Sequence, residues 1–186
     1  NNSTGQIVNL EKSVTVLELP EVYLEEFSDI CLNEQIFALT NGLPSGGEYS
    51  GNGVSNGIFY PVIAGVGEHT ITYTYTNKFG CSNSVSSTIK VNPLPEKPVL
   101  SFDGEKLTTS QAESYIWYVD SNEIETSSEN YYYPQKDGNY SVAVIDSNGC
   151  QSELSDFLQV NIPKPVADLK ISIAIDSANV GDTIKI

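Results

Sequence analysis

Arginine and methionine are absent, histidine and tryptophan occur once each, and only three cysteines are present. Every one of the nine basic residues is a lysine, set against 24 acidic residues for a net charge of −15. Such a surface repels phosphate backbones and anionic lipid, so nucleic acid is not an expected partner. No apolar run approaches the ~20 residues that span a bilayer, which argues against membrane insertion. With His69 alone and no nucleophile elbow, a Ser/His/Asp triad has no support, and a lone histidine at a strand start reads as structural. Zinc-type sites fail for the same shortage of His and Cys ligands. There is neither a signal peptide nor an initiator methionine, so residue 1 reads as a cut point and leaves export open.

What is plentiful is Gly, Ser, Thr, Asn and Tyr, with hydrophobic residues at only 39%. That balance favours short strands and many turns over helices. One pattern recurs. "FGCSNSVSSTIKVNPLP" (79–95) has a counterpart in "GCQSELSDFLQVNIP" (149–163) and another in "GQIVNLEKSVTVLELP" (5–20). Residues 70–94 align with 139–163 without a gap, and apolar residues keep their phase throughout.

Ahead of the cysteine, Ile71, Tyr73 and Tyr75 share one face of an alternating run, as do Tyr140, Val142 and Val144. Strict alternation is the mark of a strand with one buried face. Asn77 to Gly80 and Asp146 to Gly149 then form turns of hairpin composition. After them, Val85, Ile89 and Val91, or Leu154, Leu158 and Val160, are expected on one face, with Leu10, Val14 and Val16 as the N-terminal equivalents. A period of about 70 residues exceeds solenoid and propeller repeats and suits a small sandwich. The chain therefore parses as closing strands of one module (1–20), two whole modules (21–95 and 96–163) and the opening strands of another (164–186). Both ends read as truncations. Prolines 20, 93, 95, 98, 163 and 165 fall at the joints, where they stiffen the connection.

In the second module Trp117 sits mid-strand, and Asp137-Gly138-Asn139-Tyr140-Ser141-Val142 resembles the immunoglobulin-type stretch that leads into strand F, with Val142 in the cysteine position. In that fold a strand-C Trp packs in the core and a tyrosine corner pins the preceding loop. The fold expected is all-β: tandem immunoglobulin-like β-sandwich modules joined by short Pro-containing linkers. From Cys31 to Cys81, "LTNGLPSGGEYSGNGV", "AGVGEHTITYTYT" and the final Gly-Cys resemble the Ig-like modules strung along large secreted proteins of gliding, Bacteroidota-type bacteria. Residues 96–150 resemble a second Ig-like type from the same proteins, and "ADLKISIAIDSANVGDTIKI" resembles the opening of a third bacterial surface repeat.

The resemblance implies export, commonly by the type IX route, a secreted or cell-surface location, and a stalk or adhesive role. Given export, Cys31 and Cys81 flank the first module and are expected to bridge a separation of 50 residues, worth about 4 kcal/mol by chain entropy. Cys150 then lacks a local partner, because the position matching Cys31 lies near Ser101. It is expected to be a thiol, or to bond another molecule.

Three further features have a bland reading and a sharp one. "SGGEYSGNGVSNG" has the wrong spacing and no lysine for a phosphate loop, so consecutive tight hairpins explain it. Calcium is the one cofactor the acidic turns admit, through Asp103, Asp120, Asp137 or Asp146, but these turns lack a D-x-D-x-D-G loop and favour self-capping. Among the aromatics clustered in the second module, Trp117, Tyr118 and Tyr132 are the candidates to stack on a sugar, although alternation requires part of the set to be core. The expected function is a non-enzymatic spacer or adhesin stalk whose partners are neighbouring modules, surface glycans or other proteins. The alternative is a carbohydrate-binding module of a secreted polysaccharide-degrading enzyme.

Overall fold

The computed structural model describes residues 12–162. The described residues are all-β apart from one helical turn, α1 (Pro61–Ala64). The first nine strands are β1 (Tyr23–Leu24), β2 (Ile30–Cys31), β3 (Phe37–Ala38), β4 (Gly42–Leu43), β5 (Glu48–Gly51), β6 (Val54–Ser55), β7 (Ile58–Phe59), β8 (Gly67–Thr76) and β9 (Ser82–Asn92). Seven more follow residues 93–100: β10 (Ser101–Phe102), β11 (Leu107–Thr108), β12 (Ser114–Val119), β13 (Asn122–Ser127), β14 (Tyr131–Tyr132), β15 (Gly138–Ile145) and β16 (Leu158–Val160). No helix among the described residues is long and apolar enough to cross a membrane.

The strands of 23–92 form a four-stranded sheet, β2-β9-β8-β5, opposed by the small sheets β3-β7-β6 and β1-β4. The incoming chain changes partners: β1 pairs antiparallel with β4, then β2 pairs parallel with the end of β9. Leu39, Phe59, Ile71, Ile89 and Val91 make the core between these sheets. Tyr73 belongs to the same face as Ile71, and its hydroxyl accepts the Gly47 N–H at 2.7 Å and donates to the Pro44 carbonyl. Gly42 and Gly47 are required here, since a Cβ at either would fall about 2.6 Å or less from the Tyr73 ring or hydroxyl. The glycine-rich segment forms hairpins as expected: Asn56 and Gly57 both take positive φ (51° and 73°) to turn β6 into β7.

Residues 101–160 form their own pair of sheets, β10-β11-β14 against β13-β12-β15-β16. Trp117, at the centre of β12, is fully buried with Leu107, Tyr115, Val119, Tyr140, Val142, Val144 and Val160. The Tyr140 hydroxyl donates to the Lys136 carbonyl at 2.8 Å. A buried strand-C Trp and a hydroxyl tied to backbone just upstream are the marks of an Ig-like sandwich, and both stand where the sequence placed them.

Two sequence expectations need correction. β15 is buried on both faces, because Ser141 and Ala143 are as inaccessible as their neighbours. The strand expected to place Leu154 with Leu158 and Val160 begins only at Leu158, and Leu154 is 39% exposed. Serines turn inward instead: the Ser152 and Ser155 hydroxyls accept the Val144 and Val142 N–H groups at 3.0 Å. A hydroxyl taking the place of a ladder carbonyl breaks the period-2 pattern without leaving a buried N–H unpaired. Residues 12–20 carry no strand and expose Val14 and Val16. The rest of the segment 1–20, with Leu10, and the opening strands expected over 164–186 lie outside the described residues.

Because Trp117 is enclosed, Trp117→Ala should lower stability by about 3–5 kcal/mol in urea unfolding. Tyr140→Phe removes one hydroxyl bond and should cost only about 0.5–1.5 kcal/mol. A near-neutral Trp117→Ala would place the indole outside the core.

Candidate functional site

The cysteines do not pair as the sequence suggested. Cys31 is bonded to Cys150, with Cα atoms 5.5 Å apart and a sequence separation of 119. Cys81 is the unpaired thiol and is partly accessible. Strand geometry gives the reason. The β2–β9 register sets Cys31 opposite Asn92, and Cys81 lies eleven residues earlier, just before β9. At ~3.3 Å per residue that is about 36 Å of strand, against a Cα–Cα limit of about 7 Å for a disulfide. Cys31 therefore stands at the exit end of its sheets, where the chain leaves through Pro93 to Pro95. Cys150 closes the turn after β15, at the end of the second set of sheets opposite the one by which β16 leaves, and is fully buried.

The turn that presents Cys150 is an acid-capped loop. Asp146 Oδ1 accepts the Asn148 and Cys150 N–H groups, both at 2.9 Å, while the Asp146 N–H donates to the Cys150 carbonyl at 3.0 Å. The turn at Cys81 has the same wiring with an amide in place of the carboxylate: Asn77 Oδ1 accepts the Phe79 and Cys81 N–H groups at 3.0 Å. Incoming chain runs beside that turn, for the Asn83 amide donates to the Pro20 carbonyl at 3.0 Å. Desolvation pushes the Asp146 carboxyl up, but the bonds from Cys150 and Asn148 together hold it below the ordinary aspartate value.

The other acidic turns also spend their carboxylates on backbone. Asp103 accepts the Lys106 and Glu105 N–H groups, which lower its pKa. Asp120 accepts from Asn139 and Asp137 from Ile162. No group of three His, Cys, Asp or Glu side chains that could hold a metal ion occurs among the described residues. His69 is tied into the loop above β8: Nε2 lies 2.8 Å from the Gly65 carbonyl, and Nδ1 lies 3.3 Å from the Asn52 amide. The Asn52 amide also donates to the Ala64 carbonyl at 2.8 Å, so the ring and this amide tie two loop segments to the start of β8.

The three aromatics expected to stack on a ligand do not form one platform. Trp117 is core, its ring stacked on Tyr115 and Tyr132. Tyr118 is on the opposite face of the sheet, across from Ser141, where desolvation raises its pKa. Tyr132 is half-buried between Trp117 and Tyr140. Tyr133 is exposed and Tyr131 half-buried, and their rings meet edge to face at 5.6 Å. With Tyr132 they border an open cleft of about 440 Å³, also lined by Glu125, Ser127, Glu129 and Gln135, and the Lys106 ammonium stands 5.3 Å from the Tyr131 ring. The polar cleft between residues 24–29 and the outer face of β8 and β9 is larger, at about 730 Å³. Across it the exposed Lys90 ammonium stands 3.8 Å from Asp29.

No family model matches the chain, and no curated protein matches it. Among solved structures, the chain is similar to SGBP-B of the Bacteroides ovatus mixed-linkage glucan utilization locus, solved with a mixed-linkage heptasaccharide. That alignment has 18% identity over 74% of this chain and 43% of that one, with a TM-score of 0.28. The chain thus spans under half the length of that protein. It is also similar to the N-terminal Ig1-2 module of the Drosophila receptor protein tyrosine phosphatase DLAR (12% identity, 78% and 99% coverage, TM-score 0.28). Tandem Ig repeats of Dlar align at 16% identity over 76% and 96% of the chains, with a TM-score of 0.27. Likeness at this level assigns neither a family nor an activity.

Mapping of unreduced peptides should recover Cys31 linked to Cys150, with Cys81 alone taking an alkylating label. A Cys31–Cys81 peptide would refute the assignment. The two turns should also part company in acid. A carboxylate whose folded pKa is depressed contributes stability above its unfolded value of about 3.9, and that stability is lost as pH falls through the folded value. The Asn148 and Cys150 amide resonances should therefore titrate with a midpoint below pH ~3.9, while those of Phe79 and Cys81 stay flat. Asp146→Asn should abolish the titration and keep the turn, as Asn77 does. A midpoint at or above the ordinary aspartate value would contradict the capping geometry.

Proposed function

We propose that this chain is a spacer or adhesin-stalk segment of a large secreted surface protein, made of tandem Ig-like modules over 21–95 and 96–163 and without catalytic activity. The observation that carries the reading is the Cys31–Cys150 bond, which ties the two sets of sheets together across the segment that joins them. A bond of that kind serves a protein whose task is to keep its parts at a set spacing. It also suits an oxidising compartment, hence a secreted or cell-surface location. Pro93, Pro95 and Pro98 limit φ along the joint and stiffen it further. The resemblance of residues 31–81 to Ig-like modules of gliding, Bacteroidota-type bacteria supports the same assignment, with type IX export and neighbouring modules as partners.

A second reading has one observation in its favour. The exposed Tyr133 ring and the half-buried Tyr131 ring, beside Glu125, Glu129 and Gln135, offer flat faces and hydrogen-bonding groups of the kind that hold a sugar. The cleft is shared with Tyr132, one of the three aromatics singled out in the sequence, and not with Trp117 or Tyr118.

Two measurements separate the readings. In solution scattering, the double variant Cys31→Ser/Cys150→Ser should show a broader distribution of maximum dimension than the oxidised protein; identical profiles would count against a braced spacer. A glycan array should show no binding. Binding that disappears in Tyr131→Ala/Tyr133→Ala, with the fold intact by circular dichroism, would move the assignment to glycan recognition.

A further inference from the structure

We propose that the Cys31–Cys150 bond carries pulling force past both sandwich cores, so that tension along the chain runs through two edge segments and the disulfide. The inference takes its purpose from the spacer reading, but it concerns the path of force and has a test of its own.

The path can be followed residue by residue. The incoming chain passes Pro20, whose carbonyl accepts from Asn83 at the start of β9. It reaches Cys31 beside Asn92, at the end of the same strand. Residues 20–31 therefore run the length of β9, first paired with β4 through β1 and then at the edge of the β9 sheet through β2. Past the disulfide, force leaves through Cys150 and Gln151, which bridges Ile145 at the end of β15. It continues to Val160, paired with Gly138 at the beginning of β15. Residues 151–160 thus run the length of β15, and β16 is again at a sheet edge.

Everything else belongs to a closed covalent loop. β3 to β9, the joint through Pro93 to Pro95, and β10 to β15 all lie between the two cysteines, so their backbone is not drawn out by an end-to-end pull while the bond is intact. Both hydrophobic clusters draw most of their residues from that loop; Val160 is the buried exception. Only short ladders are loaded directly: β1 on β4, β2 on β9, and β16 on β15. Without the bond the same tension would pass through β9, the joint and every later strand in series. The 119-residue separation corresponds to about 400 Å of stretched chain at roughly 3.4 Å per residue, which the bond withholds. Reduction would convert a segment that yields a little under load into one that unravels completely. Cys81, outside the bonded pair, has no part in this path.

The test stretches the full 186-residue chain between handles at its two ends in an optical trap. The oxidised protein should lengthen by a short step and then hold. Cys31→Ser/Cys150→Ser should go on to release about 400 Å more, and Cys81→Ser should behave like the oxidised parent. Fully stretched length does not depend on folding stability, so a double variant that folds poorly still gives the comparison. Adding reductant to the parent in the trap should lengthen it by the same amount. Equal lengths for parent and double variant would overturn the proposal, and so would an unreduced peptide map without the Cys31–Cys150 link. Either failure is distinct from failure of the spacer reading, which turns on scattering and glycan binding.

Discussion

The bond between Cys31 and Cys150 closes a loop around nearly all of the described chain, and the arrangement of the two sandwiches is best understood from it. Each sandwich has its own core, one around Phe59 and Ile71, the other around Trp117 and Tyr140. Neither core needs the other to bury its residues. What the bond adds is a constraint on the unfolded chain, worth about 5 kcal/mol for a loop of this length by chain-entropy reasoning, and a fixed point at the joint. The exposed Lys97–Asp156 pair at 2.6 Å reaches from the joining segment to the second sandwich but contributes little.

Side-chain hydroxyls and amides do much of the remaining positioning. Tyr73, Tyr115 and Tyr140 bury their rings and spend their hydroxyls on loop backbone, so each core residue also anchors a turn. Asn77 and Asp146 do the same for the two hairpin ends that carry cysteines. A fold rich in Tyr, Asn and Ser uses polar tips to hold its loops and apolar bodies to fill its interior. Only the carboxylate version of the cap responds to acid, which sets the Cys150 turn apart from its counterpart.

Much of this was legible in the sequence. The alternation of Ile71 with Tyr73, and of Ile89 with Val91, named the buried face of the long hairpin correctly. Trp117 and Tyr140 were placed by motif, and the acidic turns by their Asx chemistry. Of the aromatic candidates, Trp117 has no surface to offer at the centre of its strand, while Tyr132 lines the same cleft as Tyr131 and Tyr133. Residues 150–157 were misread because a period-2 pattern assumes ladder bonds to backbone, and Ser152 and Ser155 supply them from side chains.

By itself the sequence determined the class of fold and the faces of the principal strands, because those follow from a local period of two. Which cysteines meet was decided by tertiary structure alone. The pairing depends on which ends of distant strands lie together, and that was settled by the parallel register of β2 on β9, two residues long and invisible in any local pattern. Proximity in sequence favoured Cys81; the direction of one short strand gave the partner as Cys150.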